Sequence, residues 1–197
     1  MSYPGHNGGP TLEPGASWRR HCWSEARSAL LPTLPVEIVR LRVKRAAELG
    51  LDYRTYAGFR ATSGHDIVAF LFSTNALRLI REGDRMAPVD AAKLAALGGV
   101  SRLLAAQPPL DPARVREGLA RQGVEFGAAG RAPGLAQTWS ETRAALRAFL
   151  AEGGQPAGGV VVIGETALER DWVAAARMAG FLTAARYFGG QTAVGGI

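Results

Sequence analysis

The sequence predicts an α/β fold, namely a three-layer Rossmann-like parallel sheet preceded by an N-terminal helical segment. Two observations support this. Short apolar runs alternate with helical patterns from Gly64 onward, which is typical of a parallel sheet covered by helices on both faces. The chain has 197 residues, of which 47% are hydrophobic, and this is enough to bury a core of one domain's size.

The sequence divides into four predicted parts. The first 17 residues contain four glycines and three prolines without a hydrophobic period, which predicts a flexible tail. The glycine-rich C-terminal end is predicted to be a second flexible tail. The predicted parts are a tail at 1–17, a helical region at 18–63, a Rossmann-like α/β domain at 64–189 and a tail at 190–197.

Two helices are predicted at the start of the helical region. The first covers residues 18–31 and ends at Pro32. The second begins at Pro35 and ends at Gly50, because proline favours a first helical turn and glycine a helix end. Its apolar residues recur at helical spacing and are expected to pack on another element; they are Val36, Val39, Val43, Ala46 and Ala47.

The α/β region contains four apolar runs that predict strands, with helical patterns between them. The first run, DIVAFLF, has the composition of a strand buried on both faces. Predicted strands are Asp66–Phe72, Val100–Ala105, Val124–Phe126 and Val160–Ile163. Predicted helices are Asp90–Leu97, Pro112–Gln122, a helix capped by Thr138 or Ser140 and running to Leu150, and Glu169–Met178.

The charge of the chain is +6, and 21 of its 23 basic residues are arginine. Most of the excess lies in residues 18–60, with nine Lys or Arg against four Asp or Glu. The candidates for nucleic-acid contact are Arg40, Arg42, Lys44 and Arg45. On a helix they fall on two flanks of the valine stripe rather than on one face, so nucleic-acid binding is an alternative and not the favoured function.

Two tyrosines and an arginine follow that helix at helical spacing. Tyr53, Tyr56 and Arg60 stand at positions i, i+3 and i+7. Aromatic side chains interleaved with arginine are able to stack on bases. Anchoring a small helical region to a core is the more frequent use of such a pattern.

Several classes of protein are excluded or disfavoured by composition. The longest strongly apolar run, Ile67–Phe72, is far shorter than the roughly 20 residues of a membrane-spanning helix. The single cysteine, Cys22, excludes a disulfide framework. Because the N-terminus has no secretory pattern, a cytoplasmic location without membrane association is expected. No metal site is predicted, since the three histidines lie far apart in the sequence.

Polar residues directly follow the first and last of the predicted strands. Ligands of open parallel sheets bind beyond the carboxyl ends of the strands. The first predicted strand is followed by Ser73, Thr74 and Asn75, and the last by Glu165, with Asp171 nearby. These five residues are the predicted pocket, whose hydroxyl and amide groups suit a neutral or anionic small molecule.

The region 66–181 resembles the haloacid-dehalogenase-like phosphohydrolases. Its end, GGVVVIGETALERDWVAAARMAGF, has a strand, a glycine, acids at Glu165 and Asp171, and an alanine-rich helix. The order of the preceding parts is also similar to the family's. In that family an aspartate after the first strand attacks phosphorus, and a second aspartate two residues later acts as acid and base.

The departures from the family pattern fall on its catalytic residues. In FLFSTNAL, Ser73 stands in place of the nucleophile and Asn75 in place of the acid/base. A serine without an adjacent base is a poor nucleophile, and an amide does not transfer protons. Arg131 stands where the family has lysine. With Glu165 and Asp171 as the remaining acids, the site has few anionic ligands for magnesium.

The resemblance therefore predicts a degenerate, non-catalytic member of the superfamily that acts as a binding or regulatory module. No catalytic residue, cofactor or metal is predicted for it, and its partner is an unidentified protein or small molecule. One alternative is an unusual phosphohydrolase with a remodelled site, which would need magnesium. The others are an unrelated Rossmann-like module and a nucleic-acid-associated protein that uses the arginine-rich helices.

Overall fold

The computed structural model describes residues 34–189 of the chain. The predicted tails at 1–17 and 190–197 and the predicted helix at 18–31 lie outside the described residues. Packing divides the chain into two compact units, Met1–Val39 and Arg40–Ile197. The sheet and the predicted pocket residues belong to the second unit.

Five parallel strands form one sheet in the second unit. The strands are β1 (Ala69–Ser73), β2 (Ser101–Ala106), β3 (Ala128–Arg131), β4 (Val160–Gly164) and β5 (Gly180–Thr183). Their spatial order is β3-β2-β1-β4-β5, so β1 is central. The chain first builds outward from β1 to β3 and then returns to the other side of β1 with β4. Such a reversal leaves a crevice at the carboxyl ends of β1 and β4.

Seven α-helices and one short 3₁₀ turn, Ala157–Gly159, accompany the strands in the described part of the chain. Two helices begin with capping boxes, in which a threonine and a glutamate three residues later satisfy each other's backbone groups. The helices are α1 (Val36–Glu48), α2 (Tyr53–Ser63), α3 (Pro88–Ala95), α4 (Pro112–Ala120), α5 (Trp139–Glu152), α6 (Ala167–Ala176) and α7 (Ala184–Gly189).

Both faces of the sheet are covered, which confirms the three-layer α/β architecture. Alternate residues of a strand point to opposite faces. In β1, Phe70 and Phe72 enter one core, where both rings contact Tyr187 of α7 at centroid distances of 5.4 and 5.6 Å. Leu71 enters the other core, which contains Trp172 of α6 and leucines of α5.

Two short edge strands differ from the sequence prediction. Val124 and Phe126 are buried in the core but precede the ladder, which starts where Ala128 pairs with Leu103 of β2. The prediction of a strand at Val124–Phe126 is therefore wrong. The apolar side chains there pack in the core, and the backbone of these residues is not part of the ladder with β2. β5 was not predicted at all, since its four residues, GFLT, carry no alternating pattern.

The apolar stripe predicted on α1 is buried only in part. Val36 and Val43 are 57% and 47% exposed, whereas Ala46 is buried. Leu49, just beyond the helix, is also fully buried. The expected packing of this helix is therefore found at its C-terminal end in the second unit, and Val43 takes no part in it.

Helix α2 is joined to the start of β1 by a polar cluster around Asp66. The hydroxyl of Tyr56, which is buried, donates to Oδ1 of Asp66 at 2.7 Å. Arg60 lies 3.7 Å from the same oxygen. The aromatic and basic residues of this helix thus anchor it to the sheet, and Tyr56 is not available to stack on a base.

Candidate functional site

The candidate site lies at the carboxyl ends of β1, β2 and β4, where the strand order reverses. Asn75 follows β1, Gln107 follows β2, and Glu165 and Thr166 follow β4. All of them converge on Glu169, on the first turn of α6, which is fully buried. A carboxylate without solvent contact requires hydrogen-bond donors on its oxygens.

Both oxygens of Glu169 are supplied with donors by the surrounding chain. Oε2 accepts from the backbone N–H groups of Glu165 at 2.7 Å and Thr166 at 2.9 Å. Oε1 accepts from Nδ2 of Asn75 at 2.9 Å and Nε2 of Gln107 at 3.2 Å. The four donors come from three different strand ends, so this carboxylate ties the strand-end loops together.

A glycine at the end of β4 makes room for this carboxylate. A Cβ on Gly164 would lie 3.0 Å from Oε2 of Glu169 and 2.6 Å from the ring of Phe181. Both distances are shorter than ordinary van der Waals contacts. The glycine that precedes Glu165 in the sequence is therefore needed for the close approach of Glu169 to the strand end.

Ser73 and Thr74 are fully buried and bonded within the protein. Oγ of Ser73 accepts from the backbone N–H of Ala76 at 3.1 Å. Oγ1 of Thr74 accepts from the backbone N–H of Gln107 at 3.0 Å, and so links the ends of β1 and β2. These hydroxyls shape the two loops, and neither is exposed to a ligand from solvent.

The pKa of Glu169 lies below its ordinary value of 4.5. Burial alone raises the pKa, because it disfavours the charged form. The backbone N–H groups of Glu165 and Thr166, together with the side chains of Ser73 and Gln107, outweigh burial and lower it. Glu169 is therefore a buried anion at neutral pH.

This shift predicts a loss of stability in acid. A depressed pKa in the folded state gives stability that is fully present above the unfolded value and is lost as pH falls through the folded one. We expect the free energy of unfolding to fall as the pH drops below the ordinary glutamate value of 4.5, and to fall less in Glu169→Gln. Asp52 and Glu141 also have lowered pKa values, so the difference between the two proteins, measured by urea unfolding, isolates Glu169. The same dependence of the free energy of unfolding on pH in the wild type and in Glu169→Gln would contradict this prediction.

The predicted pocket residues are only partly brought together. Ser73, Thr74 and Asn75 lie at the network, with Asn75 half-buried against Glu169. Glu165 contributes its backbone N–H, while its side chain is exposed. Asp171 is exposed on α6, and none of the contacts of Glu169 involves it.

Two residues of the network were missed by sequence reasoning, Glu169 and Gln107. A signal for Glu169 is present in the sequence, since Thr166 and Glu169 have the spacing of a capping box. For Gln107 the signal is its place as the first polar residue after the second predicted strand. Gln107 follows a strand whose end, Ala105-Ala106, has no polar side chain to draw attention.

The four basic residues of α1 differ in their availability for nucleic acid. Arg40 and Lys44 are exposed, and Nε of Arg42 is buried without a hydrogen-bond partner among residues 34–189. Arg45 bonds to Asp66 at 3.2 Å and to the carbonyl oxygens of Ile67 at 2.9 Å and Gly99 at 3.0 Å. Arg45 thus holds α1 against the sheet.

This difference predicts unequal effects of neutralising the arginines. Arg45→Met keeps the aliphatic stem but loses hydrogen bonds to two carboxylates, those of Asp66 and Glu48, and to two carbonyls, so we expect a loss of about 1–2 kcal/mol in the free energy of unfolding. The matched variant Arg40→Met should change it by less than about 0.5 kcal/mol. Urea unfolding of both measures this, and equal effects would contradict the structural role of Arg45.

Two clefts, each of about 410 Å³, lie outside the strand-end network. One of them runs between the loop before α3 and helix α4, with Arg114 and Glu82 paired at 2.6 Å across it. Neither is lined by Asn75, Gln107 or Glu169. Within residues 34–189, no group of three or more His, Cys, Asp or Glu side chains is arranged to hold a metal ion.

The fold and the strand-end network define an α/β protein with a doubly wound parallel sheet and a buried carboxylate at its topological switch point. Comparison of the chain with protein-family models, with curated proteins and with solved structures finds no match. In the described part of the chain, no helix is both long and apolar enough to cross a membrane.

Proposed function

We propose that this protein is a non-catalytic binding or regulatory module, and that its α/β domain is a degenerate relative of the haloacid-dehalogenase-like phosphohydrolases. The observation that carries the proposal is the state of Glu169. It is the buried carboxylate of the strand-end network, and four donors occupy its oxygens. A general acid or base must exchange protons with a substrate, and this group is bonded on every side to neutral donors.

Three backbone donors of the site are also occupied. Backbone N–H groups at a helix N-terminus ordinarily bind phosphate. Here the N–H groups of Glu165 and Thr166 already bond the carboxylate of Glu169, and that of Gln107 bonds Thr74. The protein's own anion thus takes the place that a phosphoryl group would need.

The replacement nucleophile of the alternative phosphohydrolase is Ser73. Its side chain is fully buried, its hydroxyl oxygen accepts from the N–H of Ala76, and its hydroxyl lies beside the carboxylate of Glu169, whose pKa it helps to lower. A nucleophile must approach phosphorus in line, which requires an open path from the site to the substrate. The burial of Ser73 therefore supports the non-catalytic function.

Hydrolysis of an aryl phosphate, with and without magnesium, tests this proposal. We expect no magnesium-dependent turnover above the background rate, and no difference between the wild type and Glu165→Ala, whose exposed side chain contributes nothing to the network. An active phosphatase in the same buffer controls for the assay. Turnover by the wild type that Glu165→Ala or Ser73→Ala abolishes would overturn the proposal in favour of a remodelled phosphohydrolase.

The alternative function, nucleic-acid binding, is tested separately. Exposed Arg40 and Lys44 are the residues of α1 that remain for phosphate contacts. Steeply salt-dependent retention on DNA, weakened in Arg40→Met/Lys44→Met, would favour the nucleic-acid alternative. Weak retention that is the same in the variant would support the small-molecule or protein-partner function.

A further inference from the structure

The buried charge of Glu169 fixes the orientation of two half-buried amides. A carboxylate is purely an acceptor, so the side chains of Asn75 and Gln107 must turn their NH₂ groups toward it. Both amides bond the same oxygen, Oε1, and therefore lie side by side. The reverse orientation would place an amide oxygen against an anion.

This orientation determines which atoms remain for a ligand. Neither Oδ1 of Asn75 nor Oε1 of Gln107 accepts a hydrogen bond from any residue in the range 34–189. Both side chains are half-buried and not enclosed, and the neighbouring Glu165, Thr166 and Pro108 are exposed. The two amide oxygens are thus unbonded acceptors at the carboxyl ends of β1 and β2.

The charges around the two amide oxygens also favour a cationic ligand over an anion. Glu169 is ionised beneath the amides, and the carboxylate of Glu165 is exposed beside the first turn of α6. Two backbone donors that would attract an anion, those of Glu165 and Thr166, are bonded to Glu169. At the ends of β1 and β4 an anion would meet two carboxylates and two acceptor oxygens, whereas a cationic N–H donor would meet complementary groups; the exposed Arg131 lies farther along the edge, at the end of β3.

We propose that the strand-end surface formed by Asn75 and Gln107 binds a ligand through a cationic N–H donor group, such as a guanidinium or ammonium, and rejects phosphate. The inference rests on the proposed binding function and gives the site's ligand a chemical class. A guanidinium is planar and presents several donors, which suits a surface with more than one unbonded acceptor.

The test is a titration of ¹⁵N-labelled protein, followed through the side-chain amide signals of Asn75 and Gln107. The probes are methylguanidinium chloride and sodium phosphate at equal ionic strength. We expect methylguanidinium at millimolar concentration to shift both pairs of signals, and phosphate to leave them unchanged. Gln107→Leu, which removes one acceptor, should weaken the methylguanidinium response about tenfold.

The variant Glu169→Gln is expected to reverse the ligand preference of the site. Its oxygen is able to keep the two backbone donors, while its NH₂ faces Asn75 and Gln107 and turns their amides over. The phosphate response should then exceed the methylguanidinium response. If this variant does not fold, the wild-type titrations and Gln107→Leu still test the inference.

Two results would overturn the inference: a phosphate response of the wild-type amides, or no response to methylguanidinium. Neither is the same as failure of the proposed function, which is marked by turnover of an aryl phosphate. If the wild type shows neither turnover of aryl phosphate nor a response to methylguanidinium, the proposed non-catalytic function stands and only the proposed class of ligand is wrong.

Discussion

Glu169→Ala is expected to lower the free energy of unfolding by about 3 kcal/mol, because it leaves four donors at the strand ends without their anionic acceptor. Two of these donors are backbone N–H groups at the start of α6 and have no other side-chain acceptor at that position. Urea unfolding of the variant beside the wild type measures the loss.

The control for Glu169→Ala is Glu165→Ala, which removes an exposed carboxylate four residues away. It should change the free energy of unfolding by less than about 0.5 kcal/mol. In Glu169→Ala, formate at about 0.2 M should raise the unfolding midpoint more than it does in the wild type, because a small anion stabilises the state to which it binds. Equal losses in the two variants would contradict a special role for Glu169.

Gly164→Ala is expected to cost about 2–3 kcal/mol, because the added Cβ would lie 2.6 Å from the ring of Phe181 and 3.0 Å from Oε2 of Glu169. The matched control is Gly134→Ala, where a Cβ meets no atom within 4 Å. We expect the control to change the free energy of unfolding by less than about 0.5 kcal/mol.

A double variant separates the two contacts of Gly164. If the alanine acts partly by displacing the carboxylate, Gly164→Ala/Glu169→Ala should lose less stability than the sum of the single variants. Strict additivity would mean that the clash is with Phe181 and with Cβ of Glu169, which alanine keeps, and not with the carboxylate. Urea unfolding of the wild type, the two single variants and the double variant gives the four free energies that this comparison needs.

The central strands were predictable from the sequence, and the edge strands were not. β1 and β4 are buried on both faces, so their sequences, AFLFS and VVVIG, are nearly continuous apolar runs. The edge strand β3, AAGR, is short and rich in small residues, and it pairs with one neighbour only. The position of β3 depends on its pairing with β2, and the sequence of β3 alone does not encode that pairing.

The site was predictable to the extent that topology determines it. Strand ends in a doubly wound sheet meet at one edge, so Asn75 and the residues after β4 were expected to be neighbours. The role of Glu169 depends on partners 94 and 62 residues away, Asn75 and Gln107. A glutamate at the start of a helix is usually a solvated cap, and only this tertiary setting makes it a buried anion.

The capping box at the start of α6 also limits what any dissolved anion is able to do at this site. Because Glu169 is separated from Thr166 by only two residues, its carboxylate competes for the backbone N–H groups as an intramolecular group. Tethering over so short a distance corresponds to an effective concentration far above that of free metabolites. Dissolved phosphate would therefore not displace Glu169 from the backbone N–H groups of Glu165 and Thr166.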